Sequence, residues 1–523
     1  MKSPRVFHPL LFALAPLFFI FAKNVDRVLL PRLFLPSLIA IGITLCLLQL
    51  SRIFFHSSEK TGLFVSLFVT LFLIGGHASH FLLPSTPITL GPFILRLRVL
   101  YPLFVFPFLF LPLVTGVVLL ARVRRSLHPL TRFLNGMSLS LILLNLLVIS
   151  AYKLSHADTH GEILAGSTPT EEGPKARAAG DLPDIYYIIV DGYAGAETLR
   201  EVYGYSNESF IQFLLSKGFT LPAHSTSNYD STLLSLSSSL NMRYIHSPGE
   251  SLNLESADVR TRYRQLIQRN AVIAALKKLG YRYIHFSSGY WHATRHNPFA
   301  DVEYDGIVFG GLSYALLRGS ILWPFATALI APEYRQAILF PFEHLGDVPR
   351  MKEPTFTFVH LLIPHPPYLF EADGSPSPFR KLIGSAANQS QQGYLDQILF
   401  INKKLEAMIE ELLTHSPTPP IILLQGDHGS RPSWRGDGSV PHRSDRKGLR
   451  RFLREKFLIL NAYYLPAKAG TSPPYNSITP VNSFRWIFNQ FFGANYSLLR
   501  DASYESGQPF GPHFTDVTEI LHE

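Results

Sequence analysis

The chain has 523 residues, of which 47% are hydrophobic, and a formal net charge of +9 at pH 7. This length is too great for one ordinary domain, and the single cysteine, Cys46, excludes an intramolecular disulfide and a cysteine-based metal site. The charge suits anionic lipid or nucleic acid, but no Cys/His finger or basic heptad helix is present. We therefore expect the membrane bilayer, and no nucleic acid, as a partner.

The first 152 residues contain apolar segments with the length that a membrane span requires, which is about 20 residues. Five candidate spans cover residues 5–22, 33–50, 62–83, 101–121 and 131–152. The first span contains Pro9 and Pro16, so an uncleaved signal anchor or an interfacial segment is the alternative interpretation. A cleaved signal peptide is disfavoured, because no small-residue cleavage site follows it and further spans do.

The distribution of basic residues predicts the orientation of these spans. The densest basic loop lies between the fourth and fifth spans and should be cytoplasmic, as should the N-terminus; its residues are Arg122, Arg124, Arg125 and Arg132. The loop with Lys23, Arg27 and Arg32 would be external, and its basic residues are weak evidence against this orientation. Everything after residue 152 is then predicted to lie outside the cytoplasm.

The remaining chain divides by composition. Residues 153–182 are polar and rich in Gly, Ala, Ser and Thr, which predicts a linker. Residues 183–523 have a globular composition in which short buried strands alternate with amphipathic helices. This alternation predicts an α/β domain with a mostly parallel, doubly wound sheet, in which functional residues gather beyond the carboxyl ends of the strands.

Three predicted strands end in residues that can carry chemistry. "DIYYIIVDGY" ends in Asp191, "TFTFVHLLIPH" leads to His365, and "IILLQGDHG" ends in Asp427 and His428. Each end has a plain alternative as a polar turn or a rigid proline loop. Together, at equivalent ends of strands in one domain, they predict a metal site, and carboxylate and imidazole ligands suit Zn²⁺ or Mn²⁺.

The order of these elements resembles the sulfatase branch of the alkaline phosphatase superfamily. A strand ending in Asp-Gly, a helix "FIQFLLSKGF", a Ser/Thr-rich helix start, a strand leading to His-Pro-Pro-Tyr and a strand ending in Asp-His-Gly follow one another over roughly residues 184–466. The five predicted spans with an external domain look like the phosphoethanolamine transferases and lipoteichoic acid synthases of that superfamily. The final segment is similar to the tail of bacterial sulfatase-like membrane proteins.

The resemblance implies roles for particular residues. Asp191 matches the first acidic metal ligand, Asp427 and His428 match the late Asp-His ligand pair, and His365 matches the histidine that contacts the transferred group. The nucleophile should lie in "SNYDSTLLSLSSSLN", where Thr232 is the first choice and Ser231 the second. The alternative is that either residue only caps the helix.

Two features depart from the pattern of the family. The segment "NYDSTLLS" has neither the Pro nor the Arg of a formylglycine sulfatase motif, so a true sulfatase is disfavoured. His442 stands where many of the transferases have a further histidine, but the surrounding loop does not match. We expect His442 to be a ligand or a substrate contact, with a solvated basic loop as the alternative; its arginines suit a phosphate.

The resemblance implies an enzyme in the bacterial inner membrane with its catalytic domain on the outer side. It would transfer a phosphoethanolamine- or phosphoglycerol-type headgroup from a phospholipid donor to an envelope lipid or glycan acceptor. The cofactor would be a divalent metal, Zn or Mn first and Mg or Ca next. A hydrolase with the same site and a non-catalytic envelope-binding protein stay open as alternatives, and the oligomeric state is unknown.

Overall fold

The computed structural model describes residues 4–25, 28, 30–82, 88–90, 93–95, 101–155, 172–175, 182–246, 257–290, 293–307, 310–383, 390–430, 441, 443–467, 471–507 and 513–523. The chain forms two compact units. Unit 1 contains residues 1–161 and 308–330, and unit 2 contains residues 162–307 and 331–523.

Unit 1 begins with five apolar helices and one short hairpin. The helices are α1 (His8–Lys23), α2 (Phe34–Ser51), α3 (Ser58–Leu82), α4 (Tyr101–Arg122) and α5 (His128–Ser155). Strands β1 (Ile88–Leu90) and β2 (Phe93–Leu95) pair antiparallel between α3 and α4. Many large apolar side chains of these helices are exposed, including Phe34, Phe110 and Leu147. Such exposure is costly in water and suits a lipid environment.

Three helical segments among the described residues are long and apolar enough to cross a membrane. They are Leu30–Ser51, Ser58–His77 and His128–Leu154. Two further apolar helices, His8–Lys23 and Pro107–Arg122, are shorter over the described residues. The helical N-terminal part is therefore as predicted, whereas the predicted count of five spans is not confirmed, since three candidates are found among the described residues.

Unit 2 alternates strands and helices. The strands are β3 (Ile185–Val190), β4 (Arg282–Phe286), β5 (Val302–Tyr304), β6 (Thr355–Leu361), β7 (Ile421–Gln425), β8 (Asn461–Tyr464), β9 (Tyr504–Glu505) and β10 (Thr515–Asp516). The helices are α6 (Ala196–Tyr203), α7 (Glu208–Ser216), α8 (Thr232–Ser239), α9 (Ala257–Gln268), α10 (Ala271–Lys278), α12 (Ala326–His344), α13 (Gln391–His415), α14 (Arg446–Phe457), α15 (Pro480–Phe492) and α16 (Thr518–His522). Helix α11 (Gly310–Gly319) belongs to unit 1, and α12 begins there.

The central sheet of unit 2 has six strands in the order β5-β4-β6-β3-β7-β8. All neighbours pair parallel except β7 and β8, which confirms the predicted mostly parallel sheet. Strands β3, β6 and β7 are buried along their whole length, as strands covered on both faces must be. One face of β3, formed by Ile185, Tyr187 and Ile189, packs in a core shared with α8, α9, α10 and α15.

Candidate metal centre

The register of the central strands brings three strand ends together. Strand β3 lies between β6 and β7, and Ile189 is paired with His360 on one side and Gln425 on the other. Asp191 follows β3 directly, and Asp427 lies just beyond β7. The carboxyl ends of parallel strands share one edge of a sheet, so these side chains meet in the same crevice.

Two glycines allow the Asp427–His428 turn to pack tightly behind this edge. A Cβ atom on Gly426 would lie 2.6 Å from the carbonyl oxygen of Tyr193. A Cβ atom on Gly429 would lie 2.3 Å from the carbonyl oxygen of Glu455. Both distances are too short for any side chain, so glycine on either side fixes where the carboxylate and imidazole point.

Asp191, Asp427 and His428 form a cluster in which one ligand atom from each residue lies within 4.8 Å of the others. The Nε2 atom of His428 is 3.5 Å from Oδ1 of Asp191 and 3.5 Å from Oδ2 of Asp427. All three residues are buried, with exposed fractions of 1%, 2% and 1%. Two carboxylates and one imidazole in this arrangement are a donor set for Zn²⁺ or Mn²⁺.

The hydrogen bonds around the cluster leave its inner atoms open. Nδ1 of His428 donates to the carbonyl oxygen of Gly429 over 2.7 Å, which leaves the lone pair of Nε2 facing the carboxylates. Oδ1 of Asp427 accepts from the amide of Gly192 over 3.0 Å. Oδ2 of Asp427 and both oxygens of Asp191 are buried and make no well-formed hydrogen bond among the described residues; they face only imidazole Nε2 atoms at 3.3–3.5 Å. Because buried carboxylates without partners are costly, a divalent cation fits this cluster.

The charge state of Asp191 agrees with this chemistry. Burial raises the pKa of the carboxyl, but the nearby imidazoles of His365, His360 and His428 outweigh burial and hold the pKa below its ordinary value. Asp191 is therefore ionised at neutral pH, as a metal ligand must be.

His360 is a member of the site that the sequence analysis missed. It lies in β6, and its Nε2 atom is 3.3 Å from Oδ2 of Asp191. Its Nδ1 atom is 2.7 Å from Oγ1 of Thr294, which is in turn 2.7 Å from Oγ of Ser288. These hydroxyls orient the ring toward Asp191. The signal in the sequence was a histidine near the end of a fully buried strand, where an ionisable side chain is uncommon unless it has a partner.

Thr232 lies beside the cluster at the start of a helix. It is the first residue of α8, and its Oγ1 atom is 3.4 Å from Nε2 of His428. The first amides of a helix have no intrahelical partner and favour an anionic group. Ser231 is the residue before the helix, and its buried hydroxyl has no hydrogen-bond partner among the described residues. Neither side chain makes a capping hydrogen bond in the described structure.

The remaining two predicted residues differ in what the structure shows of them. His365 is half-buried, and its Nδ1 atom donates to the carbonyl oxygen of Pro366 over 2.5 Å. Together with His360 it lines a cavity of about 50 Å³ next to the cluster. His442 lies outside the described residues, so its predicted role stays a prediction.

No protein-family model matches the sequence, and a comparison with curated proteins also finds no significant match. Solved structures do show similarity. The zinc complex of the C-terminal periplasmic domain of EptC from Escherichia coli is 12% identical, with 67% of this chain and 96% of that chain covered and a TM-score of 0.43.

Two further structures are similar in part. The integral membrane lipooligosaccharide phosphoethanolamine transferase A (EptA) from Neisseria meningitidis is 12% identical, with 92% of this chain and 95% of that chain covered and a TM-score of 0.39. A protein in the alkaline phosphatase superfamily from Vibrio parahaemolyticus is 11% identical, with coverage of 65% and 78% and a TM-score of 0.40. These neighbours come from the groups that the sequence motifs resemble, and the proposal below rests on the residues of this chain.

Proposed function

We propose that the protein is a membrane-anchored, metal-dependent enzyme that transfers a phosphoryl-type headgroup, of the phosphoethanolamine or phosphoglycerol class, from a phospholipid to an envelope lipid or glycan. One observation carries the proposal. The buried carboxylates of Asp191 and Asp427, without hydrogen bonds on their inner oxygens, stand with His428 next to a helix-initial hydroxyl, that of Thr232.

Asp191, Asp427 and His428 would hold the metal, through carboxylate oxygens and the Nε2 atom of the imidazole. Zn²⁺ and Mn²⁺ suit this mixed donor set best, and Mg²⁺ and Ca²⁺ are the next candidates. A divalent cation bound there lowers the pKa of a neighbouring hydroxyl and offsets negative charge on phosphoryl oxygens.

Thr232 would be the nucleophile. Its hydroxyl would lose its proton to water, Oγ1 would attack the phosphorus of the lipid phosphodiester, and the bond from phosphorus to the lipid oxygen would break as that oxygen takes up a proton. In the second step the acceptor hydroxyl attacks the same phosphorus and the Oγ1–P bond breaks. The amides at the start of α8 would favour the negative charge of phosphoryl oxygens bound beside Thr232.

The two histidines that line the small cavity, His365 and His360, would have different roles in the transfer. His365 is half-buried and can give a proton to the departing lipid hydroxyl and take one from the acceptor. His360 is fully buried, held by Thr294 and directed at Asp191, so it would bind the phosphoryl group or fix the carboxylate. His442 would be a further contact to the metal or the substrate.

The membrane helices support a lipid as the donor. An anchor confines the enzyme to the plane in which lipid is concentrated, which raises its effective concentration. We propose five crossings of a bacterial cytoplasmic membrane. Unit 2 would lie on the outer side, because basic residues are densest around the connection between α4 and α5, which should therefore be cytoplasmic.

Substitution of the nucleophile tests the proposal. The full chain in detergent is incubated with phospholipid labelled in its headgroup, and protein-bound label is located by mass spectrometry. We expect label on Thr232, retained in Ser231→Ala and lost in Thr232→Ala with unchanged metal content. Label on Ser231 would make that residue the nucleophile, and full activity of Thr232→Ala would refute the mechanism. Release of headgroup without any acceptor would indicate a hydrolase.

A further inference from the structure

The chain between β5 and α12 leaves unit 2 and packs with the N-terminal helices. Residues 308–330 are part of unit 1, although the residues on both sides of them belong to unit 2. Helix α11 within this segment packs against α3 and α1. The amide of Ile321 donates a hydrogen bond of 2.9 Å to the carbonyl oxygen of Phe72 in α3. The segment is thus bound to the helices and is not a free loop.

The contact with α3 depends on glycine. A Cβ atom on Gly76 would lie 2.4 Å from the carbonyl oxygen of Arg318 and 2.6 Å from that of Ser320. A Cβ atom on Gly319 would lie 3.0 Å from Nε2 of His77. Small residues that let two backbones approach are typical of helix contacts within membranes. The close approach of the two backbones therefore requires glycine at Gly76 and Gly319.

The contact lies at one end of a candidate span. Among the described residues the span is Ser58–His77. Helix α3 itself continues to Leu82, so Phe72, Gly76 and His77 lie within its last three turns. A helix of about 20 residues covers the roughly 30 Å of the hydrocarbon core, so its final turns reach the boundary between lipid and water. The docked segment must lie at the same boundary.

The composition of the segment suits this boundary. Residues 310–330 contain one charged residue, Arg318, whose guanidinium lies 5.8 Å from the ring centre of Tyr314. Phe325 and Leu329 are 38% and 50% exposed. Aromatic and basic residues are enriched at membrane interfaces, and an exposed apolar pair in a nearly uncharged segment suits lipid better than water. Helix α11 has 10 residues and is too short to cross a bilayer.

We propose that residues 310–330 are an interfacial membrane anchor. Gly319 and Ser320 dock on Gly76 at the end of α3, and Phe325 and Leu329 insert into the lipid leaflet on that side. The occupant of the exposed apolar surface is phospholipid. This anchor ties the loop between β5 and α12 to the bilayer and does not depend on the chemistry proposed for the metal centre.

Spin labels test the insertion. Phe325→Cys and Leu329→Cys, each in a Cys46→Ser background, are labelled in the full chain in phosphatidylcholine nanodiscs. We expect collisions with dissolved oxygen and exclusion of a water-soluble nickel complex. Labels at Leu215→Cys and Phe379→Cys are the controls, because these apolar residues of unit 2 are 46% and 55% exposed. The controls should admit nickel.

Two results would overturn the insertion. Nickel access at positions 325 and 329 equal to that at Leu215 would place the segment in water. Exclusion of both oxygen and nickel, together with dipolar broadening between copies, would place the apolar pair in a protein contact.

A second variant tests the docking contact. Gly76→Leu places a side chain against the carbonyl oxygens of Arg318 and Ser320, so the label at position 325 should gain access to nickel. Gly42→Leu is the matched control in another candidate span, since a Cβ atom there has nothing within 4 Å. An unchanged label in Gly76→Leu, or an equal change in both variants, would refute docking on α3.

Discussion

Two clusters of carboxylates and imidazoles lie on the sheet of unit 2, and they differ in how their carboxylate oxygens are satisfied. In the candidate metal centre, three oxygens of Asp191 and Asp427 make no well-formed hydrogen bond among the described residues and face imidazole nitrogens at 3.3–3.5 Å. In the second cluster, Glu303 of β5 accepts from Nδ1 of His285 over 3.2 Å and from Nδ1 of His296 over 2.5 Å. Both clusters combine carboxylates with imidazoles, so the presence of these groups alone does not separate them.

The difference supports the first cluster as the candidate site for a cation. Each oxygen of Glu303 already has donors, which also include the hydroxyl of Ser287 and the amide of Asn297. Burial lowers the pKa of His285, so its neutral ring donates to the carboxylate and needs no further partner. The second cluster is a completed structural network, whereas the inner oxygens of the first face only imidazole nitrogens at 3.3–3.5 Å.

A third buried carboxylate refines the comparison. Oε2 of Glu505 also lacks a hydrogen bond, and its Oε1 atom is 2.6 Å from Nζ of Lys456. Burial, followed by the charge of Asp230, raises the pKa of Glu505 from 4.5 to about 8. The raised pKa favours the protonated carboxyl, so an oxygen without a hydrogen bond indicates a metal only where the carboxylate stays ionised.

The largest expected effect separates the two main clusters by metal content. Asp191→Asn should lose the bound metal and at least about 10³-fold of activity, because it removes a charged ligand and a pKa-lowering cation. Glu303→Gln should keep the metal. Elemental analysis of the purified full chain measures both variants, and equal metal in all three proteins would contradict the assignment.

Metal removal should destabilise the protein through the first cluster alone. A ligand that binds only the folded state at about 1,000 times its dissociation constant stabilises by about 4 kcal/mol. Chelation should therefore lower the melting temperature of the wild type and of Glu303→Gln by similar amounts, and it should leave Asp191→Asn unchanged. Differential scanning fluorimetry with and without chelator provides the measurement. A chelator effect that persists in Asp191→Asn would mean that the metal binds elsewhere.

The second cluster should contribute to the free energy of unfolding, and this contribution should depend on pH. Glu303→Gln should destabilise by about 1–3 kcal/mol at pH 7, since it weakens hydrogen bonds to a charged group. Burial raises the pKa of Glu303, but bonds from His285 and His296 outweigh it and leave the pKa below its ordinary 4.5. The stabilisation is present above pH 4.5 and is lost as the pH falls below that value. Denaturant titrations between pH 3 and pH 7 measure the free energy of unfolding of the wild type and of Glu303→Gln. The two values should converge in acid, and a constant difference between them would argue against a stabilising ionised Glu303.

The smallest effect concerns Glu505. A carboxyl with a folded-state pKa near 8 loses stabilisation as the pH rises from 4.5 to about 8, because the unfolded chain releases the proton earlier. Glu505→Gln mimics the protonated form and removes this loss. The variant should match the wild type at pH 4.5 and be more stable than the wild type at pH 8. A difference that does not change with pH would show that the carboxyl is ionised in the fold.

The local sequence was sufficient to predict the strands that carry Asp191, Asp427 and His428. A run such as "IILLQ" is apolar at every position, and a buried strand can place an acid only where it leaves the sheet. The same reasoning predicted the α/β class and the apolar N-terminal helices, since hydrophobic periodicity and length are properties of short windows.

Other features depended on contacts between distant parts of the chain. His360 joins the site only because β6 pairs with β3 and sets it opposite Ile189, and no short window contains that register. Residues 310–330 form an apolar run whose length also suits the core of a soluble domain, so the local sequence does not assign them to unit 1. They pack there because Gly76 leaves space for their backbone. The sequence determined which residues are buried or charged, and tertiary structure decided their partners, because pairing depends on strand order and close packing between segments far apart in the chain.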